Sequence, residues 1–192
     1  MKYKKVTVFC AASKKCEKVY LDEAEKLGKF LAISGREIIY GGGNVGLMGS
    51  LANGCLANDG TITGIIPDFL DALELAHKGV TKLKVVNGLH ERESAMLKNA
   101  DCIIALPGGI GTFSELLQAI TWKRLWQINS DIYIVNINGY FTPLIDMLNK
   151  AVNEHFLAEE FASLWKVVNS VDSLIIEFEK EKTLPIETIG IA

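Results

Sequence analysis

The chain of 192 residues contains no apolar run long enough to span a bilayer, so no membrane partner is expected. It also lacks any excess of positive charge. Lysine and arginine total 20 against 23 aspartates and glutamates, a net charge of −3. A nucleic-acid binder that relies on a broad basic face is thereby disfavoured. Cysteine is sparse. Cys10, Cys16, Cys55 and Cys102 show no C-x-x-C pair and no zinc-type spacing with His77, His90 or His155. No metal site or disulfide framework is expected, and Cys10 and Cys102 read as core filler. Linkers and internal repeats are missing too. With hydrophobic residues at 49% and charged residues at 22%, the chain reads as one globular domain, 1–182, with a tail over 183–192. Lys2, Lys4 and Lys5 before Val6–Ala12 give the start the outline of a leader, but the apolar part is short and Lys14-Lys15 follows at once. A first β-strand and a cytoplasmic protein are expected instead.

What the chain does have is alternation. Strand-like runs at 5–10, 37–40, 61–66, 80–86, 102–106, 131–137 and 166–168 are separated by helical stretches at 17–33, 47–58, 89–99, 112–127 and 142–154. Helices over 158–164 and 171–180 flank the last strand. Thr142-Pro143 is a good helix start. The strand-like runs are nearly continuous in apolar residues, as when both faces of a parallel sheet are covered. The expected fold is α/β: an open, doubly wound parallel sheet, Rossmann-like, with helices on both faces. In such sheets ligands bind outside the carboxyl ends of the strands, where strand order reverses.

Residues 105–115, Ala-Leu-Pro-Gly-Gly-Ile-Gly-Thr-Phe-Ser-Glu, are the most informative stretch. An apolar strand stops at Pro107, three glycines follow within four residues, and a helix opens. Backbone N–H groups at such a corner have no helical partner, and the helix dipole favours negative charge there. Gly108, Gly109 and Gly111 admit close approach by an anion, most simply a phosphate. Glu115 would repel that phosphate, so it is expected to face another part of the ligand.

A second glycine corner, Gly41-Gly42-Gly43-Asn44-Val45-Gly46, spells G-x-G-x-x-G. It follows the second strand rather than the first, and Pro67 stands where a ribose-binding acid would be expected. A dinucleotide site is therefore disfavoured against a packing turn or a mononucleotide contact. Arg92 is the only cation in the turn Gly88–Ser94. It can bind a phosphate or hold Glu115 bidentately. Trp122, Leu125 and Trp126 share a helical stripe, read first as core and second as a dimer face or ligand wall.

These residues resemble the Lonely Guy family, the cytokinin riboside 5′-monophosphate phosphoribohydrolases formerly described as lysine decarboxylases. The resemblance covers nearly the whole chain. It rests on Val8-Phe9-Cys10, Tyr40-Gly41-Gly42-Gly43, Gly46-Leu47-Met48-Gly49, Gly64-Ile65-Ile66-Pro67 and Gly139-Tyr140. Above all, the family's P-G-G-x-G-T-x-x-E motif stands intact as Pro107 through Glu115.

The resemblance implies a homodimeric hydrolase of cytokinin biosynthesis. It would cleave the N-glycosidic bond of a nucleoside 5′-monophosphate, a cytokinin riboside monophosphate or AMP, to free base and ribose 5-phosphate, with no metal or organic cofactor. It assigns catalysis to Arg92 and Glu115. It assigns substrate binding to Glu74, to Gly109, Ile110, Gly111, Thr112, Phe113, Ser114 and Glu115, and to Thr121. Gly108 and Glu93, and Gly42, Gly43 and Met48 of the other corner, join them as candidate contacts. Two departures stand out. Glu93 occupies the position of the lysine that follows the family's arginine, a two-unit charge change beside an anionic ligand. Ala11-Ala12 replaces Gly-Ser. The alternative is a non-catalytic nucleotide or molybdenum-cofactor carrier-like protein; Arg92 with Glu115 favours the enzyme, and Glu93 counts against it.

Overall fold

The computed structural model describes residues 2–71, 75–98 and 100–183. Seven parallel strands form one sheet: β1 (Lys5–Phe9), β2 (Glu37–Tyr40), β3 (Ile62–Pro67), β4 (Lys82–Val86), β5 (Cys102–Ala105), β6 (Asp131–Val135) and β7 (Lys166–Val168). Their order is β4-β3-β2-β1-β5-β6-β7. The helices are α1 (Lys18–Ile33), α2 (Gly46–Leu56), α3 (Asp68–Asp71), α4 (Gly88–Leu97), α5 (Ile110–Arg124), α6 (Thr142–Asn153) and α7 (Val171–Thr183). This is the doubly wound architecture expected from the alternation. The expected helix over 158–164 is a 3-10 segment, Glu159–Leu164, and the single turn α3 had no separate sequence signal. The expected tail lies outside the described residues from 184 onward.

The strands sort their side chains by the period of two. Val6 and Val8, Cys102 and Ile104, and Tyr133 and Val135 enter one core with Leu27, Leu31, Leu51 and Phe178 of α1, α2 and α7. Phe9, Ile103 and Ala105, and Ile132 and Ile134 enter the other with Met96, Leu116 and Ile120 of α4 and α5. On the first face α1 and α2 pack backbone to backbone. A Cβ on Gly28 would strike the Leu51 carbonyl, and one on Gly54 the Glu25 carbonyl.

The chain builds outward from β1 to β4, then returns to place β5 on the other side of β1. The crevice therefore opens between the carboxyl ends of β1 and β5. The loops there are tied together. Leu106 N–H donates to the Phe9 carbonyl (2.9 Å), Ala11 N–H to the Pro107 carbonyl (3.2 Å) and Met48 N–H to the Ala11 carbonyl (3.1 Å).

Candidate active site

A cavity of about 460 Å³ occupies this crevice. Its wall comes from five strand ends or helix starts. Cys10, Ala11, Ala12 and Ser13 follow β1; Gly41, Gly43, Val45 and Met48 belong to the corner between β2 and α2. Ile66 ends β3, Leu70 lies on α3 and Leu75 beyond it, Arg92 comes from α4, and Gly109, Gly111, Thr112 and Glu115 come from the cap and first turns of α5. Most of the wall is apolar, with the charged groups gathered on one side.

The two glycine corners differ in what their missing Cβ atoms would meet. At Gly109 and Gly111 a Cβ would meet nothing within 4 Å. Packing gives no reason for glycine there, and Gly111 costs about 1 kcal/mol of helix propensity relative to alanine. Both line the cavity, so the space they leave is part of it. Gly108 is different: a Cβ would collide with Thr112. Across the site, Gly41 makes room for Arg92, whose Nη2 would lie 2.5 Å from a Cβ. Gly43 makes room for the Met48 sulfur (2.9 Å), and Gly46 packs on Ser13 with a φ of +61°. The G-x-G-x-x-G corner is thus built mainly by packing.

The first main-chain bond of α5 runs from Phe113 N–H to the Gly109 carbonyl, 3.0 Å. The amides of residues 110–112 therefore precede the helical ladder, and no side chain caps the helix. Thr112 and Glu115, three residues apart, share the face that looks into the cavity. Ile110 and Ser114 face outward, and Phe113 packs on Tyr140 and Phe141.

Glu115 is 5% exposed and forms an ion pair with Arg92, Oε1 to Nη2 at 2.8 Å. Oε1 is therefore paired with the guanidinium inside the protein. Arg92 is held at its other end by Nε, which donates to the Ile65 carbonyl at 3.3 Å. The expected two-pronged grip on Glu115 is therefore a single-nitrogen contact, because Nε is committed to β3. Burial pushes the Glu115 carboxyl up, and with its charged neighbours included it stands at about 7. Arg92 pulls it down, while the charge of Glu93 pushes it further up. Glu93 is itself mostly buried, with 16% of its side chain exposed, and stands off the cavity wall.

The other candidate residues divide. Gly43 and Met48 line the cavity, whereas Gly42 sits behind it, its carbonyl accepting from His77 N–H at 2.8 Å. Thr121 is exposed on α5 and donates to the Leu117 carbonyl at 2.8 Å, away from this cavity. Glu74 lies outside the described residues. The stripe expected in the core comes apart: Trp122 packs inward, but Leu125 and Trp126 are 55% and 87% exposed. The helix stops at Arg124, and Trp126 turns into the left-handed region, φ +59°, which breaks the helical spacing. The lining residues Val45, Ile66, Leu70 and Leu75 had no individual sequence signal. Only their places after strand ends could have pointed to them.

Among the described residues no group of three or more histidines, cysteines, aspartates or glutamates could hold a metal ion. No helix among them is long and apolar enough to cross a membrane.

Residues 48–178 match the protein family described as possible lysine decarboxylase. The cytokinin riboside 5′-monophosphate phosphoribohydrolase of Rhodococcoides fascians is 39% identical over 173 residues, 90% of this chain and 87% of that protein. The enzyme of the same name from Oryza sativa subsp. japonica is 33% identical over 93% of this chain and 74% of its own length. The chain belongs to the Lonely Guy family. Among solved structures, the molybdenum cofactor carrier protein of Chlamydomonas reinhardtii superimposes with a TM-score of 0.74 at 18% identity, covering 95% of this chain and 99% of that one. The molybdenum cofactor binding protein of Rippkaea orientalis gives 0.71 at 21% identity, over 95% and 99%. At these identities the likeness shows a shared fold. The Lonely Guy motif, Pro107 to Glu115, is the segment that forms the open corner and delivers Glu115 to the cavity.

Proposed function

We infer that this chain hydrolyses the N-glycosidic bond of a nucleoside 5′-monophosphate, releasing free base and ribose 5-phosphate. The observation that carries the reading is Glu115: a buried carboxylate on the cavity wall, paired with Arg92 and set beside two glycines that no packing need explains. The names of the family relatives at 39% and 33% identity support the same activity.

In this reading the corner from Gly109 to Thr112 takes the 5′-phosphate, which fixes the ribose and spends remote binding energy on orientation. The apolar wall of Val45, Met48, Ile66, Leu70 and Leu75 takes the base. Departure of the base builds positive charge at the anomeric carbon, and the Glu115 carboxylate stabilises it. A pKa near neutrality lets Glu115 take a proton from the incoming water without being locked in either state. Water supplies hydroxyl to C1′ and a proton to the departing base. Arg92 orients Glu115 and is braced by Ile65.

We extend the proposal to a homodimer in the cytoplasm. Ile110, Leu117, Leu125 and Trp126 are exposed apolar residues on or just beyond α5, 81%, 40%, 55% and 87% exposed, a face suited to a second copy. Four free cysteines suit a reducing compartment.

The test is incubation with AMP and with isopentenyladenosine monophosphate, followed by chromatography of the products. Free base and ribose 5-phosphate in equal amounts are expected. Nucleotide that binds but is recovered intact would replace the hydrolase with the carrier.

A further inference from the structure

The site described above does not use Tyr140, yet this residue reaches its anion corner. It follows the turn Ile137–Gly139, in which Asn138 and Gly139 both adopt positive φ, 52° and 73°. The Asn136 side chain fixes that turn. Its Oδ1 accepts from Phe141 N–H at 2.7 Å and its Nδ2 donates to Thr142 Oγ1 at 3.1 Å. The Tyr140 ring stacks on Phe113 (6.4 Å, 30°) and meets Phe141 and Tyr20 edge-on at 5.2 and 6.1 Å. So held, its hydroxyl donates to the Gly108 carbonyl at 2.5 Å.

The consequence lies in the next amide. A trans peptide is planar, so the Gly108 carbonyl and the Gly109 N–H point in opposite directions. Both residues flanking this peptide lack a Cβ, so its plane would otherwise rotate at little cost. Anchoring the carbonyl on the side of Tyr140 turns the amide the other way, and Gly109 is part of the cavity wall. No main-chain acceptor takes the Gly109 N–H among the described residues.

We propose that Tyr140 is a positioning residue, whose hydroxyl locks the Gly108–Gly109 peptide so that the Gly109 N–H is presented to the phosphate of the nucleotide. The proposal rests on the reading of the corner as the phosphate site. It separates Tyr140 from a packing role, because the ring contacts alone would not set the direction of one amide.

The experiment compares Tyr140→Phe with its parent, both carrying Glu115→Gln so that nucleotide is not turned over. Calorimetry measures affinity for AMP, adenosine and inorganic phosphate. Loss of one preorganised hydrogen bond is expected to weaken AMP and phosphate about three- to tenfold, and to leave adenosine unchanged. Tyr140→Leu, which also removes the ring, serves as the second variant; its additional loss falls on AMP and adenosine alike. Unchanged AMP affinity in Tyr140→Phe, or equal weakening of AMP and adenosine, would overturn the proposal. So would a parent protein that does not bind phosphate. Base release by the unsubstituted protein is read separately, so a failed hydrolase reading and a failed Tyr140 role give different results.

Discussion

Two glycine-rich corners border the same crevice and do different things. At Gly41–Gly46 the protein's own atoms fill the space that side chains would take: the Arg92 guanidinium, the Met48 sulfur and the Ser13 backbone. At Gly109 and Gly111 the space is open. One corner uses glycine to bring parts of the protein together, and the other leaves the space open as part of the cavity. The letter pattern G-x-G-x-x-G belongs to the first, so a motif of glycines acquires meaning only from what stands where their Cβ atoms would be.

That comparison can be broken in several places. The largest effect is expected from Glu115→Gln, which keeps the shape of the open corner and removes its charge. Base release should fall by roughly 10²–10³-fold or more, measured as free adenine from AMP, while the fold persists by circular dichroism. Near-normal turnover would remove Glu115 from the chemistry.

A pair of alanine variants tests the corners directly. Gly111→Ala should hold or raise the melting temperature, by up to about 1 kcal/mol of helix propensity. Its affinity for AMP should drop roughly 10- to 100-fold as the Cβ obstructs a charge-assisted contact. Gly46→Ala should instead cost more than about 2 kcal/mol of stability, because its left-handed φ and the Ser13 backbone both oppose a Cβ. If both variants lost stability and neither lost affinity selectively, the distinction between the corners would fail.

The pH dependence is next in size. With Glu115 at about 7 and the carboxylate as its working form, kcat/KM should fall about tenfold per unit as pH drops below that value. Glu93 helps to hold the value up, so Glu93→Lys should move the midpoint down by about one unit. Stability carries the opposite sign. The folded protein holds the Glu115 proton more tightly than the unfolded chain, whose ordinary value is 4.5. The stabilisation is fully present below pH 4.5 and is lost as pH rises through about 7, at most about 3 kcal/mol. Glu115→Gln should lack that decline in urea titrations. An unmoved rate profile in Glu93→Lys would show that the two carboxylates are not coupled.

The smallest effect on turnover is expected at the outer face of α5. Trp126→Asp should shift the sedimentation of the protein from dimer to monomer and leave the two corners intact. A monomeric unsubstituted protein would contradict the assembly.

The strands and the open glycine corner were legible because their signals are local. Continuous apolar runs, Pro107 and the glycines state both the sheet and the strand-to-helix turn. The Arg92–Glu115 pair was legible as chemistry, an arginine near a lone acid, but its one-nitrogen geometry was not, since that depends on the Ile65 carbonyl claiming Nε. Nor could the glycines be divided into packed and open ones, because what stands beside each of them comes from another loop. The apolar wall was hidden for the same reason: Val45, Ile66, Leu70 and Leu75 converge only once strand order is known. Trp126 misled because helical spacing was carried past Arg124, where the helix ends.

The most direct measurement is a crystal structure of Glu115→Gln with AMP. The account expects the phosphate on the amides of Gly109 to Thr112 and the anomeric carbon facing residue 115. A phosphate seated at Gly41–Gly46, or a ribose turned away from residue 115, would contradict it.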